Sequence, residues 1–205
     1  MIGEQSVFIV DDDESFLNAA RRVFRSAGFR VETFESAGAF LSAYRPCDEA
    51  CLILDLRMPG VGGLELLERL RERQIDLPVI IYTGNADVPV TVRAMQAGAF
   101  SVVEKPFSDE LLIARVREAI ASSRTRRVRN ATIAEARAKL AALTEREREI
   151  ARCLADGLSA PQIGARLGIS ARTVEAHRAN LFRRLDVTSI AIVARLMLWA
   201  DLGGD

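Results

Sequence analysis

Ser6-Val7-Phe8-Ile9-Val10-Asp11-Asp12-Asp13 decides the fold of this chain. Its apolar run is short, lacks polar alternation and stops abruptly at three acids. Such a run reads as a strand buried on both faces. The pattern returns at Cys51-Leu52-Ile53-Leu54-Asp55, at Val79-Ile80-Ile81-Tyr82-Thr83 and at Ser101-Val102-Val103-Glu104-Lys105. Strands are expected at about 5–10, 30–34, 50–54, 78–82 and 100–103. Amphipathic stretches at about 14–27, 36–44, 62–73, 87–97 and from 108 onward read as helices between them. Five strands alternating with five helices imply an α/β, doubly wound, five-stranded parallel sheet. In such a sheet ligands gather beyond the carboxyl ends of the strands. Asp11, Asp12, Asp55, Thr83 and Lys105 all stand at those ends, so residues distant in sequence can share one pocket. Acids that hold a hard cation beside a lysine suit phosphoryl chemistry on a carboxylate.

Charge divides the 205 residues in two. Residues 1–120 hold 13 Lys/Arg against 19 Asp/Glu, whereas residues 121–205 hold 15 against 9. An acidic module joined to a basic one points to nucleic acid as a partner of the second half. The amino terminus lacks the basic and apolar segments of a signal peptide. No apolar run approaches the ~20 residues of a membrane span. Cys47, Cys51 and Cys153 give neither a disulfide framework nor a paired zinc spacing. A cytoplasmic protein is expected.

Between Ala121 and Leu143 the composition turns to Arg, Ala, Ser and Glu without Gly or Pro, which predicts that the fifth helix runs on into a helical linker. Beyond it the strand signal ends. Thr144-Glu145-Arg146-Glu147 and Ser159-Ala160-Pro161-Gln162 match the capping box, and Ser170 offers a third N-cap. Short helices are expected at about 144–155, 159–167, 171–185 and 189–200. The tight turn Gly168-Ile169-Ser170 has helix-turn-helix spacing. Val174, His177, Leu181 and Leu185 share one face of the third of these helices and are assigned to a small core with Ile163, Leu167 and Ile169. On that face His177, the only histidine, reads as a structural, hydrogen-bonded residue.

With those motifs in place, the first part resembles the receiver domain of two-component response regulators, a flavodoxin-like fold. The likeness rests on Asp11-Asp12, Asp55 with Met58-Pro59-Gly60 and Gly63, Thr83-Gly84, and Lys105-Pro106-Phe107. The resemblance implies that Asp55 accepts a phosphoryl group from a sensor histidine kinase in a phosphorelay. It implies Mg2+ held by Asp12, Asp55 and the Arg57 backbone carbonyl, with Asp11 acting largely through water, and Lys105 and Thr83 contacting the phosphoryl oxygens. A cis bond between Lys105 and Pro106 is expected by the same analogy. The family usually has Tyr or Phe three residues before the lysine, as half of a rotamer switch. Here Val102 stands there, and the nearby aromatics are Phe100 and Tyr82.

The last part resembles the LuxR-type helix-turn-helix in a FixJ-like arrangement, on Leu143 to Glu149, Gly157-Leu158-Ser159, Gln162-Ile163, Leu167 to Ser170 and Thr173 to His177. The domains implied are a receiver over 1–122, a helical linker over 123–142 and a DNA-binding domain over 143–205. Arg172, Thr173 and Arg183 are candidate phosphate contacts on double-stranded DNA; Glu175, Ala176, Arg178 and Ala179 are candidate base contacts. Many family members carry Lys where Glu175 stands. The function implied is a phosphorylation-dependent transcription regulator, an activator by resemblance, that forms a homodimer when phosphorylated and engages RNA polymerase. It is no enzyme beyond slow loss of its own phosphoryl group. Two rival readings are a constitutive DNA-binding regulator whose receiver is a dimerisation scaffold, and a haloacid-dehalogenase-type phosphohydrolase using Asp11-Asp12-Asp13. The second lacks the expected Thr two places on; Ser15 is the nearest hydroxyl.

Overall fold

The computed structural model describes residues 5–84 and 86–202. The chain divides into two compact units, Met1–Arg126 and Arg127–Asp205.

In the first unit, strands β1 (Ser6–Val10), β2 (Arg30–Phe34), β3 (Ala50–Leu54), β4 (Val79–Thr83) and β5 (Ser101–Glu104) form one parallel sheet in the order β2-β1-β3-β4-β5. They alternate with α1 (Glu14–Ser26), α2 (Ala37–Ala43), α3 (Gly63–Glu72), α4 (Val88–Gln96) and α5 (Asp109–Ala141). The doubly wound sheet expected from the apolar runs is present. Alternate strand residues face opposite helical layers. Val7, Ile9, Ile53, Ile80, Tyr82 and Val103 pack with Leu17, Phe24, Leu112 and Val116 of α1 and α5. Phe8, Val10, Leu52, Leu54, Val79 and Ile81 pack with Phe40, Leu66, Leu70 and Ala94 of α2, α3 and α4. Every residue of β3 and β4 is buried, which explains why these strands read as continuous apolar runs.

Strand order reverses at β1 and β3, and a crevice opens there beyond the strand ends. Gly63 starts α3 against the backbone that leaves β3. A Cβ at this position would lie 2.3 Å from the Asp55 carbonyl oxygen and 2.9 Å from the Leu56 Cα. Only a residue without a side chain allows that approach.

The second unit takes the end of α5 together with α6 (Glu145–Ala155), α7 (Ala160–Leu167), α8 (Ala171–Leu185) and α9 (Ile190–Asp201). Its N-caps behave as the sequence predicts. A Glu147 carboxylate oxygen accepts from the Thr144 N–H and hydroxyl, both at 2.8 Å, and the Thr144 hydroxyl accepts from the Glu147 N–H at 3.3 Å. The Gln162 carbonyl accepts from the Ser159 N–H at 2.8 Å, and the Ser170 hydroxyl accepts from the Thr173 N–H at 3.0 Å. Helices α7 and α8 meet at a tight turn that Gly164 permits, since a Cβ there would lie 2.6 Å from the Ile169 carbonyl oxygen. Two small cores hold the unit: Leu140, Leu143, Leu181, Leu185 and Val193, and Ile150, Cys153, Leu154, Ile163 and Val174. Among the described residues, no helix is long and apolar enough to cross a membrane.

Candidate functional site: an acidic crevice and a basic helix

Buried parallel strands deliver the acids to the crevice. Asp11 follows β1 and is 2% exposed; Asp55 follows β3 and is 7% exposed. The Asp55 N–H donates to the Val10 carbonyl at 2.9 Å, which fixes the two strand ends side by side. Lys105 follows β5, and its N–H donates to the Thr83 carbonyl at 2.9 Å. Its side chain reaches across the strand ends. The ammonium lies 2.6 Å from Asp11 Oδ2 and 3.1 Å from Asp55 Oδ1. The Lys105-Pro106 bond is cis, as expected.

The remaining acids differ in position. Asp12 is exposed at the rim. Asp13 caps α1: its Oδ1 accepts from the Ser15 N–H at 2.9 Å and the Phe16 N–H at 3.2 Å. Arg57 donates its N–H to Asp55 Oδ2 at 2.6 Å. Among the described residues, no three acidic, histidine or cysteine side chains are gathered as a metal-binding group. Thr83 is 1% exposed, and its hydroxyl has no hydrogen-bond partner among the described residues. A buried hydroxyl without a partner is costly, so it marks a place where a polar group is expected to arrive.

The electrostatics describe buried acids gathered around one cation. Burial pushes the Asp11 carboxyl above its ordinary range, and the nearby Asp55 adds to this. The Lys105 hydrogen bond, the Asp13 N–H and the Lys105 charge offset that rise without cancelling it. Burial works against the Lys105 charge, yet the hydrogen bond to Asp11 and the two carboxylates carry its pKa upward. Lys105 therefore stays charged, and one ammonium faces two acids.

Val102 is half-buried and lines a cleft with Ser101, Glu104, Lys105, Pro106, Phe107 and Arg115. It packs with the α4-side layer, whereas Tyr82 belongs to the α1 and α5 layer.

In the second unit, α8 exposes Arg172, Thr173, Glu175, Ala176, Ala179 and Arg183. Arg178 is different. It is half-buried, lies 3.5 Å from Glu175 and stands 5.4 Å over the Phe182 ring. The Thr173 hydroxyl shares a 2.7 Å hydrogen bond with Ser170, so it serves the helix cap as well as the exposed face. Asn180, which the sequence reading passed over, is exposed one helical turn beyond Ala176 and beside Ala179. Its i, i+4 spacing from Ala176 was the available signal. His177 is half-buried beside Glu147, whose carboxyl it helps to hold down, and makes no side-chain hydrogen bond to the described residues.

Both halves match family models. Residues 7–117 match the response regulator receiver domain, and residues 141–197 match the bacterial regulatory proteins of the luxR family. The chain is 39% identical to the transcriptional regulatory protein FixJ of Azorhizobium caulinodans, over 96% of this chain and 93% of that protein. The chain belongs to the FixJ-like response regulators. FixJ of Rhizobium meliloti is 36% identical over 98% of each chain. Among solved structures, the response regulator StyR superposes with a TM-score of 0.80 at 38% identity, covering 95% of this chain and 98% of that one. Full-length FixJ from B. japonicum superposes at 0.61 with 36% identity, covering 97% and 98%. This FixJ-like chain is thus a transcription regulator with a receiver and a LuxR-type DNA-binding domain.

Proposed function

We propose that Asp55 is the phosphoacceptor through which a sensor histidine kinase controls DNA binding by this response regulator. One observation carries the reading: Lys105 holds its ammonium against both Asp11 and Asp55, and the buried Thr83 hydroxyl at the neighbouring strand end has no partner among the described residues. An Asp55 oxygen attacks the phosphorus of the kinase's phosphohistidine; the new P–O bond forms as the P–N bond breaks, the imidazole leaves with the electron pair, and Lys105 meets the charge on the phosphoryl oxygens. Thr83 gains its missing hydrogen bond when a phosphoryl oxygen arrives. Two buried acids against one ammonium suit Mg2+, which takes oxygen ligands and is commonly held by only one or two carboxylates with water. Asp11, Asp55 and the Arg57 carbonyl would hold it, with Asp12 at the rim, and the ion would neutralise charge on the transferring group.

Phosphorylation favours a homodimer through α4. Val88, Val92 and Met95 are exposed there by 76%, 47% and 48%, on one helical stripe. Pairing places two α8 helices on half-sites about one DNA turn apart. Arg172, Thr173 and Arg183 contact phosphates; Glu175, Ala176, Arg178 and Ala179 read base edges, with Asn180 beside them. Arg178 must leave the Phe182 ring to do so. The regulator acts in the cytoplasm as an activator and engages RNA polymerase, and its only chemistry is on Asp55. Val102 favours the scaffold alternative, because a valine cannot serve as the aromatic half of a switch.

A beryllofluoride phosphate mimic with Mg2+ tests the reading. It should shift the wild type toward dimer and tighten operator binding, and leave Asp55→Asn unchanged. Equal operator binding with and without the mimic supports the scaffold instead.

A further inference from the structure

We infer that Phe16 and Tyr82 form an aromatic clamp that positions the Lys105 ammonium for phosphoryl transfer, an inference that rests on Asp55 being the phosphoacceptor. The Lys105 Nζ lies 4.7 Å from the Phe16 ring centroid and 5.4 Å from that of Tyr82. The two rings lie 5.3 Å apart at 35° to one another. A cation within about 6 Å of a ring face is attracted by the ring's quadrupole, more strongly where water is excluded. Lys105 is therefore held by two aromatic faces as well as by the Asp11 and Asp55 carboxylates.

Each ring is itself held. The Asp13 cap accepts from the Phe16 N–H, which sets Phe16 in the first turn of α1 above the acidic loop. Tyr82 is 7% exposed in β4, and its hydroxyl accepts from the Phe107 N–H at 3.4 Å. That bond ties the ring to the segment just after Lys105. A lysine side chain has four rotatable carbons and loses considerable entropy when fixed. The clamp holds that side chain before substrate arrives, so less ordering remains for the transition state. It also sits on the α1 and α5 layer, opposite the Val102 position where an aromatic is absent.

The test reads phosphoryl transfer from acetyl phosphate with Mg2+, using the full-length chain. An Asp55 oxygen forms the new P–O bond as the bond to acetate breaks, and acetate leaves with the electron pair. Phe16→Leu should slow labelling of Asp55 about fivefold, and Phe16→Trp, a stronger cation–π face, should restore it. The Lys105 side-chain methylene protons, shielded by ring currents in the wild type, should move downfield in Phe16→Leu. In a Lys105→Met background, Phe16→Leu should produce no further slowing; an equal slowing there would show a merely structural role and overturn the clamp. An unchanged rate and unchanged lysine shifts in Phe16→Leu would overturn it too. Label on a residue other than Asp55 in the wild type would instead remove the phosphoacceptor reading, and the clamp's role with it.

Discussion

Lys105 donates to Asp11 across a 2.6 Å contact and pairs with Asp55 at 3.1 Å, so one ammonium joins the ends of three strands. Burial still holds the Asp11 carboxyl above its ordinary range. Two buried carboxyls therefore share this one ammonium, and charging Asp11 carries the cost of its burial. Replacing Lys105→Met removes the cationic side chain that bridges the two acids. Mg2+ affinity, measured by calorimetric titration, should rise on the order of fivefold as the competing charge disappears. Phosphoryl transfer should slow at the same time. Weaker Mg2+ binding in the variant would contradict a shared carboxylate site.

Gly63 tests how closely α3 must approach the phosphoacceptor loop. In Gly63→Ala the added Cβ meets the Asp55 carbonyl oxygen and the Leu56 Cα, both backbone atoms that cannot swing aside. Either α3 or the loop must shift. The variant should lose about 1–3 kcal/mol of stability, as overpacked sites do. Asp55 should also accept phosphoryl more slowly than in the wild type. A melting temperature and labelling rate matching the wild type would show that the approach is slack.

The strands were legible because burial on both faces forces unbroken apolar runs, and because a run that ends on Asp11, Asp55 or Lys105 ends where solvent begins. The capping residues Thr144, Ser159 and Ser170 were legible for the same local reason. What the residue pattern did not carry was adjacency between side chains of different elements. Nothing near Phe16 or Tyr82 in sequence announces a lysine between them. Gly63 appeared only as part of a motif, while the near contact with the Asp55 backbone depends on how α3 packs. Arg178 reads as an outward base contact by spacing alone; its lean onto Phe182 follows from where that ring sits at the edge of the small core. His177 packs beside Glu147 without the hydrogen bond expected of it, since the Glu147 carboxylate already serves Thr144 and Arg184.

Glu147 makes the second unit sensitive to acid. Its carboxyl is held below the usual range, first by the Thr144 N–H, then by the Thr144 hydroxyl, Arg184 and His177 acting against the cost of burial. A depressed folded pKa contributes stability above the unfolded value, about 4.3 for glutamate, and loses it as pH falls through the lower folded value. Trp199, the one tryptophan, lies in α9 and reports on this unit. Glu147→Gln can keep the capping geometry but not the charge. It should cost about 1 kcal/mol at neutral pH and converge with the wild type near pH 3, read by tryptophan fluorescence in urea. A constant gap across that range would assign the loss to packing.

Glu175 sets the charge of the DNA-facing helix. It lies 3.5 Å from Arg178, whose guanidinium rests over Phe182, so the pair is partly neutralised before DNA arrives. Near phosphates an uncompensated acid repels, whereas at a base edge it accepts from cytosine N4. The two effects separate in Glu175→Gln. Removing the charge lifts its repulsion of the nearby phosphates and leaves the Arg178 charge unneutralised, so binding to random duplex should strengthen and its salt dependence should steepen by about one unit. Discrimination at one base pair of the operator should relax by about 1–3 kcal/mol, because the cytosine acceptor is weakened. Arg183→Ala provides the contrast: it should weaken every sequence alike and reduce the salt slope by about one. Binding isotherms on operator and random duplex at several salt concentrations measure both. If Glu175→Gln weakens random-duplex binding as Arg183→Ala does, Glu175 is not the group that restrains Arg178.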